Sequence, residues 1–304
     1  MASHTPPLGF IGTGLMGEPM AMRLLHAGFQ LTVHSRTMAR AERLLAAGAV
    51  AASSPAEVGA SAEIVITMVP DSPDVEQVVG GKGGLLEAAR PGLTWIDMST
   101  ISPTVARTLA AACQAAGVDC LDAPVSGGTR AAADGTLSIM AGGPRAVFER
   151  CFPVLQTLGQ NIVHVGDTGA GQVTKACNQV VIAATLAGVA EALVLARCSD
   201  VDLNLVRDAL LGGFAASRVL EVHGQRMIER TFEPGFFIRL HRKDLRIALD
   251  LASAVGAAVP ATAIVAQTMN ASVGSGDGSL DHSGIVRVFE RLASIDPDTD
   301  AKRP

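Results

Sequence analysis

The sequence predicts an α/β protein in which a doubly wound parallel sheet is followed by an all-helical domain, entered through one long helix. Three observations predict it. Short unbroken apolar runs alternate with Ala-rich helical stretches as far as Gly166, the pattern of parallel strands covered on both faces. A glycine-rich turn joins the first run to the first helix. After Gly166 no strand-like run occurs, and residues 171–197 read as a single helix, far longer than the usual length of about 11–12 residues.

The elements follow in order. Residues 8–12 form a strand that enters the turn. Residues 18–27 are helical, with Met20, Leu24 and Leu25 at i, i+4 spacing and Gly28 as the stop. Leu31-Thr32-Val33 is a second strand, and 39–47 a second helix closed by Gly48. Residues 64–69 make a third strand, stopped by Pro70, and Trp95-Ile96-Asp97-Met98 a fourth. Residues 118–121 and 137–140 are the fifth and sixth. The helical remainder breaks at Gly212-Gly213, Pro234-Gly235, Pro260 and the loop Gly274-Ser275-Gly276-Asp277-Gly278. Residues beyond Asp296 read as a frayed polar tail.

Bulk properties narrow the class. A chain of 304 residues exceeds what one core usually organises, so two domains are expected. With 3% aromatics and no Tyr, the core must be aliphatic and Ala-rich. A net charge of −5 speaks against nucleic acid, whose phosphates need a basic surface. The five cysteines, none in C-x-x-C spacing, read as buried reduced thiols. The seven histidines show no ligand spacing and H-E-x-x-H is absent, so no metal is expected. No basic segment followed by an apolar run opens the chain. The longest apolar stretch, 180–190, is too short to span a bilayer. A cytoplasmic protein without a membrane partner is the expectation.

The turn Gly12-Thr13-Gly14-Leu15-Met16-Gly17 matches G-x-G-x-x-G between a strand and a helix, the context its chemistry requires. The first glycine permits the turn, the second lets backbone approach a pyrophosphate, and the third lets helix and strand pack closely. The helix N-terminus supplies free N–H groups and a favourable dipole. This is the signature of a Rossmann nucleotide-binding domain, expected over 1–168, with the helical substrate and dimerisation domain over 169–304. An NAD site usually places an acid at the end of the second strand. Here that strand ends in Ser35-Arg36-Thr37, a guanidinium between two hydroxyls. A planar fork donor suits a 2′-phosphate, so NADP is expected, with NAD as the alternative. A second Gly-x-Gly, at Gly169 and Gly171, lacks a comparable preceding strand and reads as the entry to the long helix.

These residues resemble the β-hydroxyacid dehydrogenase family. Four segments carry the resemblance, in the family's order and across nearly the whole chain. They are Gly9-Phe10-Ile11-Gly12-Thr13-Gly14-Leu15-Met16-Gly17-Glu18-Pro19-Met20, Asp122-Ala123-Pro124-Val125-Ser126-Gly127-Gly128, Gly169-Ala170-Gly171-Gln172-Val173-Thr174-Lys175-Ala176-Cys177-Asn178-Gln179, and Lys243-Asp244-Leu245. Within the family, Asn178-Gln179, Leu240-His241-Arg242-Lys243-Asp244-Leu245 and Asp281-His282-Ser283 are similar to the branch that reduces tartronate semialdehyde. Ser35 and Arg239 depart from that branch, which carries acids at both positions.

The resemblance implies an NAD(P)-linked, reversible conversion of a small carboxylate-bearing 3-hydroxy acid and its semialdehyde. Tartronate semialdehyde to glycerate is favoured; 3-hydroxyisobutyrate, succinic and glyoxylic substrates are the alternatives. It makes Lys175 the proton donor to the developing alkoxide, a role a protonated lysine can fill near neutral pH. Asn178, three residues on, falls on the same helical face and orients the lysine or binds a substrate hydroxyl. Ser126, Gly127 and Gly128 offer a hydroxyl and unhindered N–H groups to a carboxylate. By resemblance, Met68, Val69, Pro70 and Thr100 line the cofactor, Lys243 reaches it from the second domain, and Phe236 and Asp244 flank the substrate. Relatives form homodimers or homotetramers. A silent NADP-binding module on this architecture is the competing reading; it requires loss of the lysine and a basic appendage, yet Lys175 is present.

Overall fold

The computed structural model describes residues 6–296. The polar tail expected beyond Asp296, and most of the segment read for a targeting signal, lie outside them. The chain packs as two compact units, Met1–Lys175 and Ala176–Pro304.

The first unit alternates strand and helix. It begins β1 (Leu8–Ile11), α1 (Gly17–His26), β2 (Leu31–His34), α2 (Glu42–Ala46), β3 (Val50–Ala51), α3 (Pro55–Ser61), β4 (Ile64–Thr67), α4 (Ser72–Gly80) and β5 (Thr94–Asp97). It continues α5 (Pro103–Ala115), β6 (Asp119–Asp122), β7 (Val125–Ser126), α6 (Gly128–Asp134), β8 (Leu137–Gly142), α7 (Arg145–Leu158), β9 (Gly159–Gly166) and the start of α8 (Ala170–Cys198). The strands form one sheet in the order β3-β2-β1-β4-β5-β6-β8-β7, with β9 paired to β8. From β3 to β6 every pairing is parallel. The chain reverses its direction of winding between β1 and β4, where open α/β sheets form a ligand crevice at their carboxyl ends.

The reason these strands read as unbroken apolar runs is burial on both faces. Phe10, Ile66 and Ile96 pack on one side with Met20 and Leu24 of α1 and Phe148 of α7. Ile11, Val65 and Trp95 pack on the other with Val58, Val75 and Leu109. Helix starts are set locally. Ser54 caps α3 by accepting from the Glu57 N–H at 3.2 Å, while the Glu57 carboxylate accepts from the Ser53 N–H, one residue before the cap, at 2.6 Å.

Three strands, β3, β7 and β9, were not legible as apolar runs. Both residues of β3 are exposed, β7 has two residues, and β9 opens on Gly159-Gln160-Asn161. The expected wholly parallel sheet also needs correction. Asp122↔Gly142, Val125↔Ile139 and Ser126↔Ser138 lie on one antiparallel register, so residues 122–126 run against β8. An apolar run carries no mark of its direction; the short connection through α6 decides it. The second expected helix is split into a 3-10 turn, Met38–Ala41, and α2.

The second unit is helical among its described residues. The rest of α8 packs with α9 (Leu203–Leu211), a π-helical turn Leu220–Gly224, α10 (Gln225–Glu229), α11 (Ile238–Val255), α12 (Pro260–Gly274) and α13 (Val286–Leu292). By length and composition the whole of α8 could cross a membrane, where the expectation rested on residues 180–190 alone. Its Ala183, Leu186, Ala190 and Leu193 are buried in this unit's core with Ile238, Leu245 and Met269, the position of a core helix in a globular protein.

Truncating the side chain at the centre of the sheet tests the packing. Phe10 is fully buried. Phe10→Ala is expected to cost about 3–5 kcal/mol in urea unfolding, the usual cost of emptying a phenylalanine site.

Candidate active site

The sequence-predicted nucleotide turn is built by close approach. Gly12 has φ of 101°, a left-handed conformation cheap only for glycine. A Cβ on Gly12 would strike the Met68 carbonyl oxygen, and one on Gly17 would strike the Gly12 carbonyl oxygen. Helix α1 can therefore start this close to β1 only with glycine at both places. Gly14 differs: a Cβ there meets nothing within 4 Å, so open space lies in front of the backbone. No side chain caps α1. Thr13 Oγ1 is buried with no hydrogen-bond partner. An uncapped helix start, an orphaned hydroxyl and clear access to Gly14 fit a dinucleotide pyrophosphate. Leu15 is exposed and Met16 half-buried beside them.

Other predicted cofactor residues gather at the same edge of the sheet. Ser35, Arg36 and Thr37 follow β2. The Arg36 side chain is 81% exposed and its guanidinium pairs with Asp74, in the first turn of α4, at 3.1 Å. Met68, Val69 and Pro70 follow β4, and the Val69 N–H donates to Ser99 Oγ at 2.9 Å. Thr100 follows β5 and is half-buried. Asp97 ends β5 and is buried; Thr67 Oγ1 donates to its Oδ1 at 2.7 Å, while Oδ2 has no partner. Burial pushes this carboxyl up to about 6, against the Ser99 and Thr67 donors.

Ser126 ends β7, which follows the parallel strand β6 and itself runs antiparallel to β8. Gly127 and Gly128 have φ of 136° and 70°, which only glycine adopts readily. Lys175, in the second turn of α8, is buried to 6% exposure. Asn178 lies three residues along the same helix, half-buried, with its Nδ2 donating to Gln179 Oε1 at 2.7 Å.

In the second unit the expected substrate and cofactor residues are tightly engaged. Asp244 is buried; it accepts from Gln179 Nε2 at 2.6 Å and pairs with Lys243 Nζ at 2.9 Å. Phe236 is half-buried, its ring centroid 5.6 Å from that of His241 and 5.5 Å from that of His282.

These rings belong to a cluster that sequence spacing concealed. His282 Nδ1 lies 3.0 Å from His241 Nδ1, and its Nε2 lies 3.1 Å from His223 Nε2. Asp281 accepts from the Gly235 and Phe236 N–H groups at 3.0 and 3.2 Å, from Ser283 Oγ at 2.7 Å, and pairs with Arg226 at 2.7 Å. Burial opposes ionisation of Asp281, but the His223 and Ser283 donors hold its carboxyl well below the usual range. Burial, then the charges of His241 and His223, hold His282 well below an ordinary histidine. His223, Asp281 and His282 bring ligand-type atoms within 4.8 Å of one another, which the expectation of no metal spacing overlooked. Arg226 pairs with the carboxylate, and both His282 nitrogens lie within hydrogen-bond distance of other histidines.

The Asp97 shift has a pH consequence. Its folded value of about 6 exceeds the ordinary carboxylate value of about 3.9, so between these the folded protein binds more protons than the unfolded chain. Stability from this group is therefore present at low pH and lost as pH rises through about 6. Asp97→Asn is expected to flatten that fall, read by urea unfolding at about pH 4.5 and about pH 6.5.

Comparison with known proteins agrees with this architecture. Residues 7–166 match the NAD-binding domain of 6-phosphogluconate dehydrogenase. Residues 169–289 match the NAD-binding domain of NADP-dependent 3-hydroxyisobutyrate dehydrogenase. The chain is 47% identical to 2-hydroxy-3-oxopropionate reductase of Escherichia coli, over 94% of this chain and 98% of that one. It is 35% identical to an NAD-dependent L-serine dehydrogenase of Pseudomonas aeruginosa, over 93% and 97% of the two chains. The solved 3-hydroxyisobutyrate dehydrogenase of Mycobacterium tuberculosis with L-serine superposes with a TM-score of 0.85 at 34% identity, covering 94% of this chain and 99% of that one. With its glycine turn, buried lysine and helical second unit, the chain belongs to the β-hydroxyacid dehydrogenase family of NAD(P)-dependent oxidoreductases acting on CH–OH groups.

Proposed function

We propose that this protein reduces tartronate semialdehyde to glycerate, reversibly, with NADPH as the preferred donor. The observation that carries the reaction type is Lys175, buried to 6% exposure in the second turn of the largely apolar helix α8. Lysine is seldom buried this deeply in a globular protein. The substrate assignment rests on the 47% identity to the E. coli reductase. Similarity to the L-serine dehydrogenase, at 35%, supports 3-hydroxy acids such as serine or 3-hydroxyisobutyrate as the second reading.

In this reading the functional division runs at 168/169. Gly12, Thr13, Gly14, Leu15, Met16 and Gly17 cradle the pyrophosphate, and Met68, Val69, Pro70 and Thr100 line the nicotinamide end. A nicotinamide cofactor held by these residues would supply the hydride for the carbonyl carbon. Lys175 Nζ gives its proton to the carbonyl oxygen, and the ammonium charge stabilises the oxyanion before transfer. The neutral amine then regains a proton from solvent. Asn178 orients the lysine or the substrate hydroxyl. Ser126 and the N–H groups of Gly127 and Gly128 receive the substrate carboxylate, and Phe236 flanks it. Lys243 and Asp244 act as a pair, since the geometry already joins them at 2.9 Å. The exposed Val181 and Leu195 on α8 support a homodimer or homotetramer. The free cysteines support a reducing, cytoplasmic setting.

Oxidation of NADPH and NADH, measured with tartronate, methylmalonate and succinic semialdehydes and with glyoxylate, tests the substrate. Lys175→Ala is expected to lower kcat by about 10²–10⁴-fold while cofactor binding persists; full turnover would overturn the mechanism. Ser35, Arg36 and Thr37 face the adenosine end in this reading. Arg36→Ala is expected to weaken NADPH by about 10–100-fold and leave NADH unchanged, the cost of a charge-assisted contact. Equal loss for both cofactors would refute the 2′-phosphate role.

A further inference from the structure

The second glycine turn, Gly169-Ala170-Gly171, is not used by the proposed reaction, yet it is built as closely as the first. Gly169 has φ of 88°. Its N–H donates to Asp122 Oδ1 at 2.7 Å, and the Gln172 N–H donates to Asp122 Oδ2 at 2.9 Å. Both oxygens of one buried carboxylate therefore receive the opening N–H groups of α8. The surroundings leave no room for any other residue. A Cβ on Gly171 would strike the carbonyl oxygens of Asp122 and Met140, and one on Gly142 would lie 2.8 Å from Asp122 Oδ1. Burial raises the Asp122 carboxyl, and the Gly169 and Gln172 N–H groups oppose it.

Gln172 ties the same turn to the end of β5. Its Oε1 accepts from the Ile101 N–H at 3.0 Å, and its Nε2 donates to the Ser99 carbonyl at 2.8 Å. These two bonds bracket Thr100. The side chain is almost fully buried at 1% exposure, so its polar atoms are committed to this task. Three residues further along α8 stands Lys175, whose backbone N–H falls to the Gly171 carbonyl in regular helix geometry.

We infer that Asp122 and Gln172 are positioning residues for Lys175, and that the Gly169-Ala170-Gly171 turn seats the protein's own carboxylate instead of a second nucleotide. The turn meets the needs of a helix start as the first glycine turn does, but with an internal anion in place of a phosphate. Asp122 fixes the height and direction of the first turn of α8, and Gln172 fixes its rotation against the segment that carries Thr100. The inference rests on Lys175 as proton donor.

The test uses Asp122→Asn and Gln172→Met in the full chain, beside Lys175→Ala. The readouts are kcat, KM, NADPH binding by fluorescence, thermal melting, and the pH dependence of kcat/KM. Both variants are expected to lose about 100-fold in kcat, the scale set by misplacing a reacting group by about 1 Å. NADPH affinity should stay within about threefold, which separates mispositioning from collapse of the cofactor domain. Asp122→Asn, which removes a negative charge near α8's start, should also move the alkaline limb of kcat/KM to lower pH; the uncharged exchange Gln172→Met should not. Folded variants with kcat within about threefold of the parent and an unmoved limb would overturn the inference. Should Asp122→Asn fail to fold, Gln172→Met decides by the same kcat criterion. An active Lys175→Ala would sink the proposed mechanism itself. An inactive Lys175→Ala beside fully active Asp122→Asn and Gln172→Met would sink only this inference.

Discussion

The close approach of α1 to the end of β1 is the constraint on which the first unit depends. A side chain on Gly17 would collide with the Gly12 carbonyl oxygen, and one on Gly12 with that of Met68. The two glycines let the helix axis point its N–H groups at the carboxyl edge of the sheet while its Met20 and Leu24 reach the core. Close packing and an open helix N-terminus thus depend on the same pair of missing side chains. The carboxyl edge of the sheet is level there, because β2, β4 and β5 are in parallel register with β1 or its neighbour.

Helix α8 faces the same physical problem at its own start and solves it internally. Its first N–H groups would be orphans of a helix end in a buried setting. The Asp122 carboxylate satisfies two of them, and Gly142 and Gly171 provide the space. The antiparallel run of residues 122–126 along β8 brings this carboxylate into place and leaves Ser126 and the two following glycines at its far end. A mixed sheet at this edge is therefore tied to the position of the segment that holds Lys175.

The second unit is organised around another buried carboxylate, Asp281. It gathers the backbone of Gly235 and Phe236, the Arg226 guanidinium and Ser283 about itself. The neighbouring imidazoles of His223, His241 and His282 form a bonded row against the Phe236 ring. Buried polar groups of this kind are costly unless fully engaged, and they fix one arrangement of a loop that apolar packing alone would leave less defined.

The sequence by itself determined the class of fold, placed a glycine turn between its first strand and helix, and singled out Lys175. Those features are local: apolar runs reflect burial on both faces, G-x-G-x-x-G reflects one strand-to-helix turn, and Lys175 stands out on an apolar helix. The short edge strands escaped it, since two exposed residues such as Val50 and Ala51 carry no apolar signal. The direction of β8 also escaped it, because side-chain alternation is identical in parallel and antiparallel strands. What only the tertiary structure decided were the partnerships between distant residues. Asp122 with Gly169, Arg36 with Asp74, Gln179 with Asp244, and His282 with His241 and His223 are separated by tens of residues along the chain. Each depends on backbone brought together by packing, and no spacing in one dimension records a contact made in three.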